Sequence, residues 1–212
     1  MKTLFVSGSD TNVGKTWVVG MIAQLLAKRG DSVQVVKPIE TGAGETTDVK
    51  DILEHCDSPN VTGYTIQSFR LPIAPVAAAR EEGVDVELPD VLSSIDLLPS
   101  DADWRIVEGA GSIATPISGD GRDWSDLATS LGASRVVLVV ENRVGAIGQA
   151  RLAYEYAKRK GLNGGIWLNE IRSQDSAARE STIGGIESLG IPIWHSSRPD
   201  ERCVESRELA WL

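Results

Sequence analysis

Gly8-Ser9-Asp10-Thr11-Asn12-Val13-Gly14-Lys15-Thr16 lies between a short apolar run, Leu4 to Ser7, and a long amphipathic stretch from about Gly14 to Arg29. A loop so placed turns its backbone N–H groups toward the start of the following helix, where unpaired donors and the helix dipole favour an anion. Lys15 adds a point charge for terminal phosphates, and the Thr16 hydroxyl is a hard ligand for Mg²⁺. Five residues rather than four separate Gly8 from Gly14-Lys15-Thr16, and Ser9 stands where the first glycine of the usual pattern would be. The tripeptide alone is common, but its place after an apolar strand and before a helix predicts a nucleotide phosphate loop.

Working outward, Val33 to Lys37, Trp104 to Glu108, Val136 to Val140 and Gly165 to Leu168 read as further strands, with Ile191 to Trp194 as a sixth. Residues Thr47 to His55, Asp123 to Leu131, Ala146 to Lys160 and Ala177 to Leu189 read as helices. Runs such as Arg135-Val136-Val137-Leu138-Val139-Val140 are apolar throughout instead of alternating, as in a parallel sheet buried on both faces. Gly30, Gly132, Gly161 and Gly190 each follow a helical pattern, where a left-handed C-cap suits glycine. Val61 to Pro99 reads as irregular, with one short helix opened by Pro75. The expected class is therefore α/β: one domain over residues 1–212, a mostly parallel sheet of P-loop NTPase type with helices on both faces.

Ligands of such sheets gather beyond the carboxyl ends of the strands. There the second strand delivers Lys37-Pro38-Ile39-Glu40-Thr41-Gly42, and a second cation beside a polyphosphate suits phosphoryl transfer. The strand ending Val107-Glu108-Gly109-Ala110-Gly111 brings a carboxylate and small residues that let a ligand approach the backbone. Asp48 opens a helix, and composition alone favours a dipole-stabilised carboxylate there; if it reaches the site instead, Thr16, Asp48 and Glu108 form an all-oxygen set suited to Mg²⁺. Asn169 closes its strand with a donor and an acceptor for a base edge, or as a turn former. His55 and His195 read as structural, and the six scattered tryptophans as packing and interface residues.

Composition narrows the function. With 42% hydrophobic and 24% charged residues the chain reads as globular. A formal charge of −9 argues against a nucleic-acid or anionic-membrane partner. No run suits a membrane span or signal core, so a cytoplasmic protein is expected. Cys56 and Cys203 lack partners at metal-ligand spacing and read as buried thiols.

Taken in order, the three motifs Gly8 to Thr16, Lys37 to Gly42 and Val107 to Gly111 resemble those of the dethiobiotin synthetases, ligases of biotin synthesis, over about the first 170 residues. The resemblance implies ATP-dependent carboxylation of 7,8-diaminononanoate with CO₂ and closure of a ureido ring. Asn12, Val13, Gly14, Lys15, Thr16 and Trp17 are then expected around the phosphates, Gly109, Ala110 and Gly111 beside Glu108, and Asn169 and Pro199 around the base. Thr16, Asp48 and Glu108 are expected around Mg²⁺. Lys37 and Lys15 become the catalytic cations, and Thr11, Lys37 and Thr41 meet the diamine. Val144, Gly145, Ala146 and Ile147 hold the substrate tail from the partner subunit of a homodimer. Two departures, Ala74-Pro75-Val76 for Ser-Pro-His and Ser112 for a glycine, remove no charge from the site.

Two other chemistries fit the framework. One is another small-molecule ATP-dependent ligase, such as an amidase synthetase of the cobyrinate type. The other is a switch ATPase of the MinD/ParA kind, disfavoured because Ser9 to Asn12 lacks an added lysine and Glu205 to Leu212 is short and charged.

Overall fold

Strands that are apolar along their whole length need cover on both sides, and in this protein a single sheet receives it. The computed structural model describes residues 1–212 except 45, 200, 202, 203 and 205–209, so Cys203 and most of the segment after Val204 lie outside the described residues. Among the described residues the chain alternates β1 (Lys2–Gly8), α1 (Lys15–Lys28), β2 (Val33–Thr41), α2 (Asp48–Cys56), β3 (Val61–Phe69), α3 (Pro75–Glu81) and α4 (Leu88–Asp96). It continues with β4 (Trp104–Ser112), α5 (Trp124–Ser130), β5 (Arg135–Glu141), α6 (Ala146–Arg159), β6 (Gly164–Asn169), α7 (Ser176–Glu187) and β7 (Ile193–Ser197). The strand order is β3-β2-β4-β1-β5-β6-β7, and every pairing is parallel.

Strand alternation divides the core in two. Leu4, Val6, Ile106, Val137, Val139 and Trp167 pack with α1 and α2, whereas Phe5, Val107, Val136, Leu138, Ile166 and Leu168 pack with α3 to α7. Period-two geometry sends successive side chains to opposite faces, so residues continuing the first set project toward α1 and α2. Lys37 lies one step past the Val36 and Val107 pairing, level with Glu108. Both therefore arrive on the face where α1 and α2 begin.

Two differences from the sequence reading stand out. The second strand runs on past Lys37 to Thr41, so Lys37 projects from within β2 and not from its end. Val61 to Pro99 is not irregular: it carries β3, α3 and α4, with Pro75 in the first turn of α3. β3 is an edge strand, half-buried and paired only with β2, so it needs no continuous apolar run. Gly30, Gly132, Gly161 and Gly190 do take positive φ after their helices.

Candidate active site

The phosphate loop is shaped by local backbone demands. Asn12 and Gly14 both have positive φ, 56° and 89°. A Cβ on Gly14 would come within 2.2 Å of the Asn169 amide nitrogen, and one on Gly8 within 2.8 Å of the Val13 side chain. The loop is thus a close-fitted arch that leaves Val13 buried and Lys15 folded back onto the Asp10 carbonyl at 2.8 Å. Burial first, and the nearby Lys37 charge second, push the Lys15 ammonium down to about 8, against the pull of Glu108, Asp48 and Asp10.

Three elements converge on the Lys37 ammonium. It meets Glu108 Oε1 at 2.6 Å and Asp48 Oδ2 at 2.6 Å, with Lys37 and Glu108 both buried. Thr16 Oγ1 donates to the same Glu108 oxygen at 2.9 Å. Burial alone would lower the Lys37 pKa, but the two carboxylates outweigh it and hold the ammonium above its ordinary value. Asp48 is both things the sequence allowed: it opens α2, whose N-cap Thr47 accepts from the Lys50 N–H, and it reaches the cluster. Glu40 accepts from the Asp48 N–H at 2.7 Å and steadies that turn, while burial pushes its own carboxyl pKa up.

A cavity of about 550 Å³ opens over this cluster. Of the residues expected from sequence, Thr11, Asn12, Gly14, Lys15, Thr16, Trp17, Lys37, Thr41, Asp48, Glu108, Ala110, Gly111, Asn169 and Pro199 line it. Val13 does not line it; its carbonyl accepts from the Asn169 amide at 2.9 Å. Gly109 turns its missing side chain toward Trp124 and Ser7. Val144, Gly145, Ala146 and Ile147 lie outside this cavity, at the opening of α6, with Val144 98% exposed.

Glu170, Ile171 and Arg198 also line the cavity and escape the sequence reading. Their signal is adjacency: Glu170 and Ile171 follow Asn169 directly, and Arg198 precedes Pro199 at the end of β7. His195 packs against Trp167 with its ring tilted by 53° and bonds Glu201 at 3.0 Å, and His55 packs against Trp17. Cys56 is a buried free thiol. No described helix is long and apolar enough to cross a membrane.

Polyphosphate binding fits this geometry: a donor-rich loop at a helix start, two buried lysines and oxygen ligands share one cavity. Comparison with known proteins agrees. A family model described as an AAA domain matches residues 2–195. The ATP-dependent dethiobiotin synthetase BioD of Aquifex aeolicus (strain VF5) is 33% identical over 201 residues, covering 89% of this chain and 88% of that protein. Its counterpart from Hydrogenobaculum sp. (strain Y04AAS1) is 35% identical, covering 93% and 91%. Among solved structures, a ParA family ATPase from Chlorobium tepidum TLS aligns with a TM-score of 0.58 at 17% identity, over 94% of this chain and 84% of that one, a likeness of fold alone.

Proposed function

The chain belongs to the ATP-dependent dethiobiotin synthetase family, and from that premise we propose that it converts 7,8-diaminononanoate, CO₂ and ATP to dethiobiotin, ADP and phosphate. The observation that carries this reading is the Lys37 ammonium, buried between Glu108 and Asp48 at the floor of the cavity and beside the phosphate loop. One amine of the substrate adds to CO₂ and loses a proton, giving a carbamate. A carbamate oxygen attacks the γ-phosphorus, and the bond to the bridging oxygen breaks with release of ADP. The second amine attacks the carbonyl carbon of the resulting carbamic-phosphoric anhydride, and phosphate leaves as the ring closes. Charge grows on the transferring phosphoryl oxygens, where a fixed cation lowers the barrier most.

Within that scheme Lys15 exchanges the Asp10 carbonyl for the terminal phosphates, and Asn12 to Trp17 surround the chain of phosphates. Thr11, Lys37 and Thr41 face the diamine, and Asn169 and Pro199 the base. Thr16, Asp48 and Glu108 would hold Mg²⁺. The fit is supported by their all-oxygen chemistry and by Glu108 Oε2, a buried oxygen without a hydrogen-bond partner among the described residues. No group of three or more His, Cys, Asp or Glu side chains placed to hold a metal gathers among the described residues, so phosphate oxygens and water would complete the shell. When bound, the ion neutralises phosphate charge and orients the γ-phosphoryl group.

The tail carboxylate is assigned to the backbone N–H groups of Val144 to Ile147 on a second copy of the chain. The exposure of Val144, Ile147 and Leu152 along this part of α6 supports a homodimer. Light scattering should then return twice the 22.7 kDa chain mass. The chemistry is tested with ¹⁸O-labelled bicarbonate: the scheme requires label in the released phosphate and a ureido product of the expected mass. Phosphate whose fourth oxygen comes from water, with no label, would contradict it.

A further inference from the structure

Asn169 is held by hydrogen bonds at both ends of its amide, and the Val13 carbonyl sets which way the amide faces. Trp167 Nε1–H can only donate, and it donates to Ser197 Oγ at 3.0 Å. Having accepted there, the Ser197 hydroxyl turns its single proton to Asn169 Oδ1 at 2.8 Å. On the other side of the amide, Nδ2 donates to the Val13 carbonyl, which can only accept. Trp167 and Ser197 are fully buried and Asn169 is 5% exposed, so water does not compete for these partners. The indole is packed in turn against the tilted His195 ring, which Glu201 anchors.

We propose that Ser197 is a positioning residue for nucleobase selection, acting by holding Oδ1 of the Asn169 amide in the orientation that the Val13 carbonyl sets. The inference rests on the reading that Asn169 meets the base. Asn169 keeps one N–H and one lone pair for the ligand, in a fixed order. Adenine offers an acceptor beside a donor, N7 and the N6 amino group, and an asparagine amide matches that pair. Guanine offers two acceptors, N7 and O6, so its O6 would face Asn169 Oδ1. A flipped amide would set Oδ1 against the Val13 carbonyl, two acceptors facing each other, and would lose the hydrogen bond that Ser197 donates. Ser197, Trp167 and His195 do not line the cavity, so their influence on the base passes through Asn169.

The test compares kcat and KM for ATP and GTP in Ser197→Ala, Asn169→Ala and the double variant, with thermal midpoints recorded alongside. One neutral hydrogen bond corresponds to about 2- to 10-fold in affinity, so Ser197→Ala should raise the ATP KM by that factor with kcat nearly unchanged. It should also narrow the preference for ATP over GTP, and the double variant should be no worse than Asn169→Ala alone. Ser197→Cys preserves bulk with a weak donor and should follow the alanine variant; it carries the test if Ser197→Ala fails to fold. If Asn169→Ala leaves both nucleotides unaffected, the reading of Asn169 as a base contact fails. If Asn169→Ala matters but the Ser197 variants keep wild-type selectivity, or the two losses add, the positioning role is overturned.

Discussion

An ammonium with a carboxylate oxygen at 2.6 Å on either side is already compensated, so in the proposed scheme Lys37 acts on phosphoryl charge only once the nucleotide joins the cluster. Lys37→Ala should therefore cost turnover far more than ATP affinity. Loss of one preorganised transition-state contact is typically about 10²- to 10³-fold in kcat, and steady-state kinetics beside ATP titration separates the two. Equal losses would make Lys37 a ground-state binder. Gly14 makes a steric prediction: its φ of 89° and the 2.2 Å approach to Asn169 leave no room for a methyl group. Gly14→Ala should abolish measurable ATP binding in calorimetry while the fold, read by circular dichroism, persists. Cys56 gives a pH prediction. Burial pushes its thiol up to about 11, so at pH 8 it stays protonated and should resist alkylation, as peptide mapping by mass would show. At this scale the cluster is largely legible, because Lys15 and Thr16 sit at a helix start and Lys37 and Glu108 on apolar strands that periodicity locates. Glu40 is not, since its role is to accept one backbone N–H and nothing in its spacing announces that.

Helix α5 shows how one carboxylate serves two elements. Asp123 caps it by accepting from the Ser125 and Asp126 N–H groups, and it also accepts from the Tyr156 hydroxyl of α6. Asp123→Ala should lower stability by about 1–2 kcal/mol for the lost cap, read as the urea midpoint. The bond to Asp123 is the main reason the Tyr156 hydroxyl lies above its ordinary pKa. A raised folded value means that the contribution is full below the unfolded pKa, near 10, and drains away as pH rises through the folded value. The stability gap between wild type and Tyr156→Phe should therefore shrink on going from pH 8 to pH 11. A gap that widens would contradict the assignment. The elements hidden from sequence are β3 and α4. β3 faces solvent along one edge, so Thr62, Gly63, Thr65, Gln67 and Ser68 dilute its apolar signal. Gly63 is there because a Cβ would meet Val49 of α2 at 2.4 Å.

Across the whole molecule, the parallel sheet gathers residues distant in sequence at one edge: Thr16, Lys37, Asp48 and Glu108 come from α1, β2, α2 and β4. The same framework carries a ParA family ATPase at 17% identity, so architecture does not decide between making a product and switching partners. What favours a product is a phosphate loop without an added lysine and a cavity of about 550 Å³, room for more than the phosphates. The most direct measurement is ADP release from the purified protein with ATP and magnesium, with the diamine and bicarbonate each supplied or withheld. ADP should appear at a catalytic rate only when both are present, in step with the ureido product. Rapid ADP release with neither present would place the protein among the switch ATPases instead.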